Sequence, residues 1–319
     1  MSKKVVFVIL ASVLAMALPM VSYAGPLYED LLGSWGSNAK MVEGREFKFL
    51  IDPAKTAPIM KEAFQDIYFQ AKAVLEKNGL KVTEREKKTW ELRPTVKTFF
   101  DTENMDLYKK GYLIRTTVNY KKGRWDSKVK VAVKRINAPF EAVIDTKLFS
   151  ADGKNSGVVE DNIGLGPEGK LFSYVEKTVV FETDRAELGQ MKFEDFSAYV
   201  PELNMLGLKS DIKLIAYTAF GMRCRPGLIE IPGPERPVVI SMEAWARTDG
   251  GKPFVYDISF GYKGDFTAMK STHEAMEKAM QALCDELNGR LGLPNAECYV
   301  GSKVRVLLNQ PVLTAKQYK

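Results

Sequence analysis

The spacing of apolar and polar positions changes period several times along the chain. Ile59, Ala63, Ile67, Ala71 and Leu75 recur every three or four residues. That spacing predicts an amphipathic helix over Ala54–Lys77, stopped by Asn78-Gly79. A second helix is predicted over Thr267–Leu291, with Met269, Ala275, Met276, Ala279, Met280 and Leu283 on its apolar face. Between the helices the period falls to two. Strands are predicted at Thr95–Phe100, Tyr112–Tyr120, Lys128–Lys134, Tyr174–Glu182, Val238–Arg247 and Phe254–Tyr262, with one more, Arg45–Ile51, before the first helix. Lys121-Lys122-Gly123 reads as a turn, and the Gly-rich stretches 150–170 and 225–234 read as loops. No internal repeat is present. The tally is an α+β domain rich in antiparallel strands, of barrel or sandwich type.

The first 24 residues stand apart from this pattern. Lys3 and Lys4 precede an apolar run, Val5–Leu18, and Ser22-Tyr23-Ala24 has the small-x-small form of a cleavage site. These are the marks of a secretory signal peptide. The expectation is a signal peptide over 1–24 and a single domain over 25–319, periplasmic or secreted. The apolar run is too short to span a bilayer comfortably, so no transmembrane anchor is expected after cleavage. No Cys follows Ala24, so no lipid anchor is indicated.

Composition narrows the function classes. The 319 residues are 45% hydrophobic and 27% charged, as in an ordinary globular protein. His273 is the only histidine, which argues against a His-based metal centre and, with no evident partner, against a catalytic triad. It reads as a surface residue. The net charge of +6 falls to +4 without Lys3 and Lys4, too little to imply nucleic-acid binding. Of the three cysteines, Cys284 and Cys298 can clip a helix to the returning chain, although Cys224 can pair with either.

Where the charge lies matters more than its sum. Lys109 to Arg135 holds ten basic residues and one acid, Asp126. On the Lys128–Lys134 strand, alternation puts Lys128, Lys130 and Lys134 on one face with Ala132, and Val129, Val131 and Val133 on the other. Arg115 shares a face with Leu113, Thr117 and Asn119, while Tyr112 and Tyr120 take the opposite face. The pattern fits a solvated outer sheet face whose lysines discourage edge pairing. The functional alternative is a basic wall for a polyanion. The placement of the tyrosines disfavours nucleic acid, which calls for aromatics among the cations.

Two longer motifs favour the wall. Thr98-Phe99-Phe100-Asp101-Thr102, followed by Leu107-Tyr108-Lys109-Lys110-Gly111-Tyr112-Leu113-Ile114-Arg115, resembles the hallmark of the CYTH superfamily, the triphosphate tunnel metalloenzymes. Val131-Ala132-Val133-Lys134, Glu46-Phe47-Lys48 and Asp257-Ile258-Ser259 are similar to further strands of that family. The resemblance covers 43–135 and 254–291. It implies a tunnel-like antiparallel β-barrel with flanking helices, whose inward cations hold a triphosphate and whose carboxylates hold Mg²⁺ or Mn²⁺. By position, Lys48, Arg115, Lys130 and Lys134 would hold phosphates, and Glu46 and Asp257 a metal.

The chain also departs from that pattern: Gly44 stands in place of a glutamate, Thr117 in place of an arginine, and Ser259 in place of a second C-terminal carboxylate. Glu141, Asp145, Glu176, Glu182 and Glu243, on other strand-like segments, are candidate replacements. Two functions follow. One is a protein that binds short-chain polyphosphate or a similar phosphorylated anion and hydrolyses it with a divalent metal. The other is a non-catalytic polyanion-binding envelope protein on the same fold. Trp125 and Trp245 suit a ligand wall or plain packing. Gly164-x-Gly166 is not followed by a predicted helix and is no nucleotide fingerprint.

Overall fold

The computed structural model describes residues 27–85, 90–121, 123–184, 192–231 and 236–310. The expected signal peptide lies outside them, as do Lys122 and Gly233-Pro234. The strands are β1 (Val42–Ile51), β2 (Lys81–Glu84), β3 (Arg93–Asp101), β4 (Tyr112–Lys121), β5 (Arg124–Trp125) and β6 (Lys128–Arg135), then β7 (Val158–Leu165), β8 (Leu171–Asp184), β9 (Ile215–Glu230), β10 (Val238–Ala246) and β11 (Pro253–Lys263). The helices are α1 (Leu27–Trp35), α2 (Met60–Lys77), α3 (Asp106–Lys109), α4 (Phe140–Asp145), α5 (Phe193–Ser197), α6 (Lys270–Leu291) and α7 (Lys303–Leu308).

Among the described residues nine strands close on themselves in the order β10-β11-β1-β7-β8-β6-β4-β3-β9, with β9 returning to β10. The result is the tunnel-like α+β barrel. Every pairing round it is antiparallel except β1 with β7, so the barrel is mixed. That pair is far apart in sequence, and a parallel pairing needs such a long crossover. Strands β2 and β5 hang on β9 and β4.

Alternation sends one side chain outward and the next into the tunnel. On β1, Phe47, Phe49 and Ile51 face outward and are buried with Phe64, Ile67 and Leu75 of α2 and Met276, Met280 and Leu283 of α6. Each large apolar side chain buried there contributes about 1.5–3 kcal/mol. The wall made by β4, β6 and β8 packs Ile114, Val131 and Val179 under Phe193 and Phe196 of α5.

Several expectations change against these elements. The first helix starts at Met60, because Pro53–Lys55 forms a separate 3-10 turn capped by the Asp52 carboxylate. Within the expected loop 150–170 lies β7. Its mid-strand polar pair hides it: Asp161 points outward to Arg45 and Asn162 inward to Lys48. Within the expected loop 225–234, β9 continues to Glu230. The register with β10 slips beside Arg225-Pro226, and such a bulge is where a strand tolerates a proline. Glu141 and Asp145 lie on α4, not on a strand.

His273 is buried, not on the surface. It falls in line with Met276 and Met280, and its ring is covered by Tyr28, Phe47, Tyr262 and Phe266. Arg45 Nη1 lies 2.7 Å from its Nδ1. Burial lowers its pKa to about 4, with Arg45 adding to that against the pull of Glu277. The imidazole is therefore neutral and accepts the guanidinium's hydrogen bond. The cysteine clip is also absent. All three cysteines are free, with Cys224 and Cys284 packed in the core and Cys298 exposed.

One end of the tunnel is closed from within. After α6 the chain turns back, and Val300-Gly301 run against β1 and β7. A Cβ on Gly164 would lie 2.5 Å from the Val300 carbonyl carbon, and one on Gly301 (φ +71°) would lie 2.8 Å from Lys48 Cβ. Both positions need glycine for this close approach. The insertion carries α7 into the barrel, where Leu307 and Leu308 pack on Leu50, Phe99, Leu113 and Trp245. They form an apolar floor under the tunnel.

Candidate functional site

Above that floor lies a cavity of about 150 Å³. Its walls come from elements far apart in sequence: Glu46 and Lys48 of β1, Lys97 of β3, Arg115 of β4, Lys134 of β6, Glu176 of β8, Glu243 and Trp245 of β10, and Lys303 and Arg305 of α7. Six basic and three acidic side chains line it.

Most of the cations are already partnered. Lys48 donates to Glu46 at 2.8 Å and to Asn162 Oδ1 at 2.7 Å. Lys97 bonds both oxygens of Glu243, at 2.5 and 2.7 Å, and its ammonium lies 5.0 Å from the centre of the Trp245 ring. Lys134 pairs with Glu176. Lys303 pairs with Asp257 and lies 3.3 Å from Glu243. Arg305 stacks on Tyr174 at 4.4 Å and donates to Asn137 at 3.0 Å. Arg115 differs from all of these. Its Nε is buried without a hydrogen-bond partner, and among the described residues no carboxylate pairs with it. The Trp245 indole N–H, on the same cavity, is likewise buried and unpartnered. A lumen with cations in excess and two unused donors is built to receive an acceptor-rich anion.

Proton affinities follow from the crowding. Burial pushes the Glu46 carboxyl upward, but the neighbouring Lys48 ammonium more than reverses this and holds it at about 2. Glu243 is held well below the usual carboxylate range, Lys97 and Lys303 together overcoming its burial. Lys97 goes the other way from its partner. Burial lowers it to about 8, with Lys303 and Arg115 reinforcing the drop and Glu243 resisting it. Glu243 is shared by two ammoniums, so Lys97 has only part of one carboxylate. Anion affinity should therefore decline as pH rises through 8, where Lys97 loses its charge. Calorimetric titration with tripolyphosphate at pH 7 and pH 9.5 should show about a tenfold loss in wild type. In Lys97→Arg, which keeps its charge throughout, most of that loss should vanish. An equal loss in both would show that Lys97 does not face the anion.

Of the residues read from sequence, Glu46, Lys48, Arg115 and Lys134 converge on this cavity. Asp257 stands behind it, buried against Lys303, its Oδ1 accepting the Glu243 backbone N–H at 3.1 Å. Lys130 is not there. It lies four residues along β6 from Lys134, about 13 Å nearer the open mouth. It is half exposed and 3.5 Å from Glu182. Lys128 pairs with Asp184 at 3.0 Å, also exposed. Such exposed pairs contribute little. Of the candidate replacement acids, Glu176 and Glu243 do enter the tunnel. The sequence reading missed Lys97, Lys303 and Arg305. It also missed a cluster of Arg85, Arg93, Arg223 and Arg225 beside the mouth, where Arg225 is lowered by burial and by its three neighbours. Trp125 lies exposed on β5, away from the cavity.

The donor set does not suit Mg²⁺ or Mn²⁺. Such an ion takes its oxygens from phosphate, water and one or two carboxylates free to approach it at about 2.0–2.1 Å. Here Glu46, Glu176, Glu243 and Asp257 are each tied to an ammonium. Among the described residues no three acidic, histidine or cysteine side chains gather into a metal-binding group.

No protein-family model matches the sequence, and no curated protein matches it either. Solved structures do show a likeness. A Hippeastrum protein assigned as an adenylyl cyclase, and described as having a dominant triphosphatase activity, is 13% identical over 86% of this chain and 98% of its own, with a TM-score of 0.40. Assigned adenylate cyclases from Vibrio parahaemolyticus and Bacillus halodurans are 10% and 14% identical. The first covers 84% of this chain and 98% of its own with a TM-score of 0.34; the second covers 63% and 88% with 0.31. What fold and site define is a closed β-tunnel, floored at one end by the chain's own C-terminal segment, with a cation-rich lumen.

Proposed function

We propose that this tunnel binds a short polyphosphate or a similar oligophosphorylated anion, and binds it without hydrolysing it. The observation that carries the reading is Arg115, half-buried with an Nε that is buried and has no hydrogen-bond partner, in a lumen that also presents Lys48, Lys97, Lys134 and Lys303. An anion with several adjacent phosphates supplies acceptors to cations on opposite walls at once. A single phosphate reaches only some of them. Binding is favoured over hydrolysis because the carboxylates that line the cavity, Glu46, Glu176 and Glu243, are each engaged by an ammonium and none stands free to orient a water or hold a metal. The signal peptide expected over residues 1–24 would carry the site to the periplasm or outside the cell, and there polyphosphate would be a better match than a nucleotide.

Thermal unfolding tests this. At a concentration about 100 times its Kd, a ligand of the folded state adds about 2.7 kcal/mol. Tripolyphosphate should then raise the Tm of the wild-type protein by about 4 °C. Orthophosphate should raise it less, and the rise should shrink sharply in Lys134→Ala. No shift with tripolyphosphate, or an equal shift in the variant, would overturn the proposal.

A further inference from the structure

The mismatch between the tunnel's carboxylates and a divalent ion has a specific cause. Glu243 and Asp257 face each other across paired strands, in register, both buried. Two carboxylates so placed repel each other: burial and Glu243 push the Asp257 carboxyl up, and a cation beside the pair opposes that rise. Lys97 already serves Glu243, and the chain supplies a second cation that reaches both acids. Lys303 enters from α7, pairs with Asp257, and lies 3.3 Å from Glu243. Its side chain is 11% exposed and its ammonium rests 5.3 Å from the centre of the Trp245 ring. Glu46, on the adjacent strand, lies close enough for its charge to act on the same ammonium. Lys303 is therefore the cation on which the acidic side of the lumen is built.

Its placement is specified, not incidental. Gly164 and Gly301 allow the backbone to enter the barrel, the Ser302 hydroxyl accepts the Arg305 N–H at 3.5 Å, and Leu307 and Leu308 anchor the segment in the floor. A lysine there differs from a metal in two ways. It offsets one of the two negative charges permanently, Lys97 meeting Glu243 from the other side, and its remaining ammonium surface faces the cavity, where a phosphate oxygen can accept from it.

We propose that Lys303 is a built-in substitute for a divalent cation, so that the tunnel takes its phosphorylated anion free of metal. The second half rests on the proposed function; the first half, that Lys303 shuts a metal out, does not. The test uses the full chain. Mn²⁺ titration followed by electron paramagnetic resonance should show no specific site in wild type. Lys303→Ala, and separately Lys303→Met, should gain one, with affinity raised about tenfold or more as the occupying charge is removed. Circular dichroism establishes that each variant is folded. A wild-type Mn²⁺ site as tight as that of the variants, or folded variants that bind none, would overturn the proposal.

Should both variants fail to fold, the wild-type protein still decides. Tripolyphosphate should bind in EDTA, and binding that appears only after Mg²⁺ is added would refute the substitution while leaving the tunnel as a phosphate site. If tripolyphosphate binds under neither condition, the functional reading has failed, and the Mn²⁺ titration of wild type alone decides whether Lys303 excludes metal.

Discussion

Arg115→Ala is expected to weaken tripolyphosphate binding about 10- to 100-fold while leaving the fold as stable as before. The first half follows from chemistry: hydrogen bonds to a charged partner contribute about 1.5–3 kcal/mol, and each 1.4 kcal/mol is a factor of ten. The second follows from the absence of a partner. Since the Arg115 Nε is buried and unsatisfied, truncation removes a desolvation cost and strands no carboxylate. Lys134→Ala behaves differently, because it leaves Glu176 buried and unpaired and so lowers stability along with affinity. Arg115→Lys should fall between, keeping the charge and losing the planar fork. Calorimetry with each variant, paired with urea unfolding, separates these effects. A stability loss in Arg115→Ala equal to that in Lys134→Ala would mean that Arg115 serves the fold, not a ligand.

The second large effect lies on the other face of β1. Asp161→Ala should cost about 3–5 kcal/mol of stability, since it breaks a buried ion pair by removing one partner. Arg45 Nη2 is 2.9 Å from Asp161 Oδ2, with both side chains almost wholly buried. The guanidinium carbon lies 3.8 Å from the centre of the Phe266 ring, and no water-facing route is open to it. Burial raises the Asp161 carboxyl above its usual range in spite of Arg45, a sign of how costly the site is for charge. The loss is a large share of the 5–15 kcal/mol that folded proteins have. Urea unfolding measures it directly. Where the variant remains folded, its tripolyphosphate affinity should match wild type, because Arg45 and Asp161 point away from the lumen. Unchanged stability would show that the pair does not hold α6 to the barrel.

These two residues also show what the sequence could reveal. Arg115 is readable because it alternates with Leu113 and Thr117 on a regular strand, and Lys134 and Lys48 follow the same period-two logic. Lys97 obeys it too, between Thr95 and Phe99, but local charge density draws attention to 109–135. In a closed barrel the residues that meet come from strands distant in sequence, so density along the chain is a poor guide to density in the lumen. Lys303 gives no periodic signal at all. It sits on a six-residue helix whose inward course depends on two glycines more than a hundred residues apart. β7 is hidden for a related reason, since its polar residues are satisfied on both faces by partners that only the fold brings near. His273 is the opposite case. Its spacing from Met276 and Met280 places it on the buried face, and its polarity alone suggests otherwise.

The lumen, and not the basic rim, is the proposed seat of the anion. A crystal structure of the wild-type protein grown with tripolyphosphate in EDTA tests it most directly. The phosphate chain should lie inside the tunnel, with oxygens within about 3 Å of Arg115 Nε and of the Lys134 and Lys303 ammoniums. Phosphate seated instead on Lys128, Lys130 or the arginines at the mouth, with the lumen holding only water, would contradict it.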